Sequence, residues 1–353
     1  MEWTVGDRII FSSNRGGNTN LWAISASGGD PVQVTKGAGP DIGLSVAASG
    51  NNLVYLQQQK VGFLWTANID GSSLRQISFD DREIWEPSFS PDGRRIAFVM
   101  NDPDPLKEKC DVYVVDRDGN NRRQLTNGLP NARIPLWSPD GRWISYVTFP
   151  TGQGADTARP HTYVVGVENP GAPKLVGDYP GIAWLDDDHI VSLDPRNSWI
   201  ITVSKGTTKR FLTDSLAFWY FGQGKTLGYY DWHKSKAGWW VADIQPVTAA
   251  DLMMQTGEVI MPVFRGSPRR IGLSPSFLAA WTSRASRTGT FLQYTAEDKV
   301  RSASFANGKE AVLAARFPGL RNRSIELSPD GKEVVFVTPR LSSRLVLLEN
   351  VFK

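Results

Sequence analysis

Short apolar runs alternate with polar turns along this chain, and one turn phrase occurs three times. The phrase is Ser-Pro-Asp-Gly followed by a basic residue, at positions 90–94, 138–142 and 328–332. Apolar runs lie on both sides of each copy, such as 95–99 after the first. Pro presets φ at the first corner of a turn, Asp bonds the turn backbone, and Gly takes the positive φ. Each copy therefore predicts a tight β-hairpin.

Weaker copies of the same pattern lie at 3–11, 46–55, 184–191, 219–229 and 281–291, which brings the predicted hairpins to eight. A third apolar run follows most hairpins, as at 112–115, and then a short fourth run that ends in Thr or Ser, as at 123–126. Four antiparallel strands in each repeat are typical of a β-propeller. The fold class is therefore all-β, with eight blades, or seven if one weak hairpin is misread.

The repeats predict one domain over 1–353, with an insertion at about 245–267 in the sixth blade that holds the best helix candidate, 248–254. The first repeat lacks most of its first strand, and the last repeat ends at 345–348 without a fourth strand. If these two partial repeats are neighbours in a closed ring, both open edges are covered. The abrupt start at Met1 suggests a piece of a longer protein.

Composition narrows the class of protein without defining a function. The net charge of +3 and the absence of like-charge blocks do not indicate nucleic-acid binding. The single cysteine, Cys110, excludes an internal disulfide, and no run approaches the roughly 20 apolar residues of a membrane helix. The start lacks a signal-peptide pattern. A monomer is expected, cytoplasmic as the chain stands and periplasmic if a membrane segment precedes it.

The segments 11–22, 88–98 and 111–126 resemble TolB-like, WD-type propeller repeats, and the resemblance extends over nearly the whole chain. The tail at 343–350 is similar to the C-termini of bacterial proteins whose propeller follows a serine/threonine kinase domain or a winged-helix regulator. The resemblance implies a sensor or interaction module. Related repeats occur in prolyl oligopeptidase-type peptidases, but the Gly-x-Ser-x-Gly pentapeptide of such hydrolases is absent from this sequence.

In a four-stranded meander, the loops before strand one and between strands two and three share one face, where the channel opens. Two arginines, Arg133 and Arg323, precede equivalent hairpin positions and could together hold a carboxylate or phosphate. The alternative is that they pair with Glu86 and Asp41 across blades. The residues expected to form this polar and aromatic funnel are Asp41, Trp85, Glu86, Arg133, Tyr179, Asp214, Phe277, Asn322 and Arg323.

A loop on the same face carries Trp232 and His233 beside lysines, which suggests contact with a peptide, glycan or protein, or simply a solvated loop. The three histidines lie in different repeats and do not predict a shared zinc site. The acidic runs near 102–108 and 186–188 lack calcium-loop spacing. The hairpin tryptophans 137, 184, 219 and 281 are expected to pack between blades. Neither a metal nor a cofactor is expected.

The leading hypothesis is a non-catalytic propeller that binds a protein partner or small ligand at the channel mouth, as the C-terminal sensor or scaffold module of a bacterial signalling protein. One alternative is a propeller enzyme: a lyase, a hydrolase or the propeller part of a peptidase. Another is an assembly protein that pairs with a second chain through an open blade edge.

Overall fold

The computed structural model is all-β, with no helix among the residues it describes. These are all residues except 5, 17, 38–39, 49–51, 81, 103–108, 128–130, 150–158, 194–197, 212–215, 223–225, 232–236, 244–258, 261–264, 273–289, 295–299, 305–307, 314–316, 318–319, 321–324 and 352–353. Within this part of the chain the strands form seven sheets, built mainly of four antiparallel strands. This confirms a β-propeller architecture; the count of eight blades stays a prediction.

The sheets are numbered here by the order in which the chain enters them. Sheet 1 contains β1 (Glu2–Thr4), β2 (Arg8–Gly16), β3 (Asn18–Ser25) and β4 (Val32–Gln33). Sheet 2 contains β5 (Asp41–Val46), β6 (Leu53–Asn68), β7 (Arg75–Gln76), β28 (Ile325–Leu327) and β29 (Glu333–Leu348). Sheet 3 contains β8 (Ile84–Phe89), β9 (Arg95–Asn101), β10 (Cys110–Asp116) and β11 (Arg123–Gln124).

Sheet 4 contains β12 (Ala132–Trp137), β13 (Trp143–Thr148), β14 (His161–Gly166) and β15 (Lys174–Gly177). Sheet 5 contains β16 (Gly181–Trp184), β17 (His189–Leu193), β18 (Ser198–Thr202), β19 (Thr207–Phe211) and β23 (Val259–Ile260). Sheet 6 contains β20 (Leu216–Gly222), β21 (Thr226–Asp231), β22 (Gly238–Asp243) and β24 (Arg269–Ile271). Sheet 7 contains β25 (Thr290–Tyr294), β26 (Val300–Ser304) and β27 (Glu310–Val312).

The three Ser-Pro-Asp-Gly phrases form the predicted hairpins, with the same hydrogen bonds in each. In the first copy the Ser90 hydroxyl donates to Asp92 Oδ1 at 2.6 Å and accepts from Arg95 N at 2.9 Å. Gly93 has φ 72°, in the region that favours glycine. The copies at 138–142 and 328–332 repeat these bonds. The phrase therefore has a structural role.

Two buried tryptophans join neighbouring sheets, as expected for the hairpin tryptophans. The Trp137 indole N–H donates to the Ser88 carbonyl of sheet 3 at 3.0 Å, and Trp184 donates to the Leu136 carbonyl of sheet 4 at 3.1 Å. Each ring thus buries its apolar surface between two sheets while its only donor finds a backbone acceptor. The tryptophans at 219 and 281 lie outside the side chains that the structure describes.

The Thr or Ser that ends a fourth strand ties that strand to the third. Thr126 Oγ1 accepts from Val112 N and donates to Asp111 Oδ1, both at 2.9 Å. Thr35 makes the equivalent bond to Leu21 N, and Ser78 makes it to Leu64 N. The hydroxyl supplies an acceptor where the short fourth strand has stopped pairing, so a buried N–H group is satisfied.

Replacing Thr126 with valine is expected to reduce the free energy of unfolding by about 2 kcal/mol, because Val112 N–H and the buried Asp111 carboxyl each lose a partner. Urea unfolding followed by tryptophan fluorescence measures the change. Thr126→Ser keeps the hydroxyl and is the control. Equal stability of the valine and serine variants would contradict this role.

Two long strands, β6 and β29, join different parts of the molecule. They pair antiparallel over their whole length, from Leu53 opposite Leu348 to Asn68 opposite Glu333. One end of this ribbon lies between β28 and β7, which completes a four-stranded sheet, while the other end lies beside β5. The last hairpin thus receives its third and fourth strands from near the start of the chain.

The repeat pattern predicts that the hairpin at 46–55 ends before a separate third strand, at 64–69, begins, whereas β6 runs without a break from Leu53 to Asn68. The segment between them, 57–61, contains no turn-forming Gly, Pro, Asn or Asp, and β29 offers an uninterrupted backbone partner. Likewise 345–348 is not a third strand of its own, because it continues β29 through Pro339. Both β6 and β29 therefore continue without a break from one part of the fold into another.

Apolar clusters lie between successive sheets. Leu64 and Val335 of the ribbon pack with Ile84 and Phe98 of sheet 3, and Phe336 packs with Val300 of sheet 7 on the opposite side. Further clusters join sheet 3 to sheet 4 and sheet 4 to sheet 5. Sheet 1 packs on the far end of the ribbon. Burial of these faces supplies the main favourable free energy of folding.

Candidate functional site

One face of sheets 3, 4 and 5 collects the starts of their first and third strands, as the sequence predicts. The first strands begin there at Ile84, Ala132 and Gly181, and the third strands at Cys110, His161 and Ser198. The Ser-Pro-Asp-Gly hairpins of sheets 3 and 4 and the turn at 185–188 of sheet 5 lie at the opposite ends of these first strands. We call the first face the upper face and the second the hairpin face.

A bulge interrupts the first strands of sheets 3 and 4 near the upper face. The register shifts between Trp85 and Ser88 and again between Arg133 and Leu136. Within the bulges Glu86 has φ 52° and Ile134 has φ 56°. Positive φ is unusual for any residue with a side chain and an outlier for a β-branched one. Because a bulge changes the direction in which side chains point, side chains of these two strands can contact each other.

Glu86 uses its bulge to hold the next sheet. Its Oε1 accepts from Arg133 Nη2 at 2.9 Å, and its Oε2 accepts from Arg133 Nε at 3.3 Å and from Ile134 N at 2.6 Å. The Glu86 side chain is 8% exposed and that of Arg133 is 30% exposed. Burial lowers the pKa of Arg133, but the charge and hydrogen bonds of Glu86 outweigh it and raise that pKa. Of the two interpretations of Arg133, pairing with Glu86 is the one observed.

Arginines stack on aromatic rings in a row along the upper face. The Arg133 guanidinium lies 5.3 Å from the Trp85 ring, Arg82 lies 5.5 Å from Tyr113, and Arg159 lies 5.6 Å from Tyr179. Tyr179 in turn stacks on Trp199 of sheet 5, with ring centroids 5.3 Å apart. Tyr113 is itself buried, whereas Trp85, Tyr179 and Trp199 are partly exposed, so the flat apolar surface along this row comes from those three rings.

Sequence reasoning found Trp85 and Tyr179 but missed their neighbours Arg82, Arg159 and Trp199. Arg82 and Arg159 lie in loops just before a first and a third strand, and Trp199 lies near the start of a third strand. The signal that could have found them is their place at strand starts on the same face.

Glu83 adds a titratable group beside the Arg133–Trp85 stack. Burial raises the pKa of the Glu83 carboxyl, although Lys60, Arg133 and a hydrogen bond from Trp85 act in the opposite direction. Two hydrogen bonds with Asn101 fix the backbone of Glu83. The Asn101 side chain accepts from Glu83 N at 3.0 Å, and the Asn101 N–H donates to Glu83 O at 3.1 Å. A carboxyl whose pKa is perturbed by burial and by neighbouring charges is a candidate member of a functional site.

Asp41 does not line the funnel, contrary to expectation. It has no solvent exposure, and its carboxylate accepts from Asn20 Nδ2, Thr35 Oγ1 and Gln57 Nε2 at 2.6–3.2 Å. The ribbon explains the difference, because β5 pairs with the end of β6 that packs on sheet 1. Asp41 therefore fixes the strands between sheets 1 and 2.

The remaining funnel residues Asp214, Phe277, Asn322 and Arg323, together with Trp232 and His233, lie outside the described residues. Of the other candidate groups, Cys110 is buried, and burial raises the pKa of its thiol to about 11, with Arg133 acting in the opposite direction. A protonated, buried thiol is a poor nucleophile.

The two described histidines lie on opposite faces. His161 is 3.1 Å from Asp178 on the upper face, whereas His189 is 2.8 Å from Asp186 on the hairpin face. No group of three or more His, Cys, Asp or Glu in the described part of the chain is placed to hold a metal ion. The described part of the chain also contains no helix long and apolar enough to cross a membrane.

Sheets of four antiparallel strands packed face to face define the class as a β-propeller. The solved structure of a TolB homologue from Agrobacterium tumefaciens is similar over 80% of this chain and 99% of that one, with a TM-score of 0.50 and 16% identity. The propeller domain of the trilobed protease from Pyrococcus furiosus is similar over 76% and 95%, with a TM-score of 0.44 and 14% identity.

In sequence, an uncharacterized protein of Agrobacterium fabrum is 28% identical over 108 residues, which cover 29% of this chain. The match spans 36% of the length of that relative. No family model matches the chain. At 16% identity the similarity to the Agrobacterium tumefaciens structure shows the fold alone, and function has to be argued from the site.

Proposed function

We propose that this propeller is a non-catalytic binding module whose upper face receives a protein segment, as the sensor or scaffold part of a bacterial signalling protein. The observation that carries the proposal is the row of arginine–aromatic stacks across sheets 3, 4 and 5. Arg, Tyr and Trp are the residue types that contribute most to protein interfaces. Rings held in stacks also lose little side-chain entropy when a partner binds.

The geometry favours a protein segment over a small anion. Both nitrogen donors of Arg133 that point toward Glu86 are occupied, so its charge is already compensated. A site for phosphate or carboxylate would need uncompensated cations to replace the water around the anion. A mixed surface of ring faces and N–H edges instead suits a peptide, which offers both apolar side chains and carbonyl acceptors.

The test is to select binding peptides from a phage-displayed random library on the full chain, then measure their affinity for single variants. Trp85→Ala and Tyr179→Ala are expected to weaken the selected peptides about tenfold or more. Trp143→Ala is the matched control, because Trp143 is 41% exposed beside a hairpin-face turn. Peptides that respond to Trp143→Ala and not to the two upper-face variants would refute the proposal.

Catalysis at the same mouth is the second candidate, favoured by Glu83. Burial raises the pKa of the Glu83 carboxyl, which is the direction that favours a general acid. The chain is to be incubated with polygalacturonate and with chromogenic peptides. Turnover that disappears in Glu83→Gln, at unchanged stability, would favour an enzyme; absence of turnover together with Trp85-dependent peptide binding favours the binding module.

A further inference from the structure

The second half of β29 forms an open sheet edge. Residues Leu341–Leu348 pair on one side with β6, and no strand among the described residues lies on their other side. The nearest strand, β28, pairs only with residues 334–336. At this end of the ribbon the sheet has three strands, β5, β6 and β29, whereas sheets 3 and 4 have four. A strand edge of this length exposes a row of backbone donors and acceptors.

The two faces of this edge strand differ in environment. Val346 and Leu348 point toward sheet 1 and pack on its core. Leu341, Leu345 and Leu347 alternate with them and point to the other face, where they are 54%, 71% and 56% exposed. Exposed edge strands of native proteins usually carry charges, bulges or prolines that prevent pairing. Three exposed leucines on one face of an edge strand do not prevent pairing in this way.

The charged residues on this edge strand are both positive, and one acidic residue, Glu349, follows its last residue. Arg340 and Arg344 lie on the strand itself, exposed, and Lys60 is exposed directly opposite Leu341. The segment 340–348 contains no acidic residue. Arg344 donates to the neutral Gln57 side chain, which leaves its charge uncompensated by that contact. A strand that pairs here gains from acidic residues at the positions beside the arginines.

We propose that the Leu341–Leu348 edge binds an extended segment of a partner protein as an added fourth strand. The segment alternates aliphatic residues, which cover Leu341, Leu345 and Leu347, with acidic residues, which face Arg340 and Arg344. Backbone hydrogen bonds supply affinity in this binding mode, and the alternating side chains supply specificity. The proposal is independent of the upper face, because it uses different residues and a different sheet.

The test uses the full chain and a fluorescent peptide in which valine and glutamate alternate, with a scrambled peptide of the same composition as the first control. Fluorescence anisotropy gives the affinity, and amide hydrogen exchange shows where the peptide binds. We expect slower exchange within 341–348 and an affinity at least about tenfold higher than that of the scrambled peptide. Equal affinities, or no protection of 341–348, would overturn the proposal.

Variants separate the apolar and the charged contributions. Leu345→Ser is expected to weaken the peptide about tenfold, while Leu175→Ser, at another exposed leucine of an edge strand, leaves it unchanged. The Arg344→Glu variant is expected to lose affinity for the valine–glutamate peptide and to gain affinity for a peptide in which valine and lysine alternate. If light scattering shows a dimer that Leu345→Ser dissociates, a second copy occupies the edge and the proposed partner is wrong.

Discussion

Replacing Glu86 with alanine is expected to lower the free energy of unfolding by about 3–5 kcal/mol, the cost of breaking a largely buried ion pair. The substitution removes both acceptors of the Arg133 guanidinium and the acceptor of Ile134 N. Arg133 then stays two-thirds covered without its counter-charge, and Ile134 keeps its positive φ without the bond that holds it. The first strands of sheets 3 and 4 lose their shortest connection.

Urea unfolding monitored by tryptophan fluorescence measures this loss, with Glu168→Ala as the matched control. Glu168 also pairs with an arginine, Arg95 at 2.5 Å, but its side chain is 67% exposed. Exposed pairs contribute up to about 1 kcal/mol, so the control is expected to change little. Adding Arg133→Met to Glu86→Ala should recover part of the loss, because no uncompensated charge remains. Similar losses for Glu86→Ala and Glu168→Ala would show that the pair is not a structural connection.

The hairpins and the two faces of the sheets could be predicted because their causes are local. Ser, Pro, Asp and Gly in a fixed order specify the turn at 90–93, and antiparallel pairing then assigns every loop to a face. The pairing of Arg133 with Glu86 was one of two open alternatives. The geometry of this ion pair depends on bulges at Glu86 and Ile134. Neither residue type favours a positive φ, so the sequence does not predict these bulges.

The pairing of β6 with β29 could not be predicted from the repeat. Strands of similar composition can pair in many combinations, and the residues joined here are up to about 300 positions apart in sequence. The repeat pattern therefore placed Asp41 beside the channel, although the ribbon brings it against sheet 1. The stacks of Arg82 and Arg159 were missed for a similar reason, since each joins a loop residue to an aromatic from another segment.

The ribbon also explains why Gly62→Ala is expected to cost about 3 kcal/mol of folding free energy. Gly62 pairs with Pro339 midway along the ribbon, and its N–H donates to the Arg82 carbonyl at 2.9 Å. A β-carbon at this position would lie 2.6 Å from Ile84 N and 2.9 Å from Ile84 O. Both atoms belong to the backbone at the start of β8, so relief requires a whole strand to move.

Gly171→Ala is the control for Gly62→Ala, because a β-carbon there meets nothing within 4 Å and its φ is not positive. The control should leave stability unchanged or raise it slightly, through the lower entropy of the unfolded chain. Thermal and urea unfolding of both variants give the comparison. Because Glu83 and Trp85 flank Ile84, the Gly62 variant should also weaken peptides that depend on Trp85. A Gly62→Ala protein as stable as Gly171→Ala would mean that β6 does not pass so close to β8. This result would contradict the path of the ribbon described above.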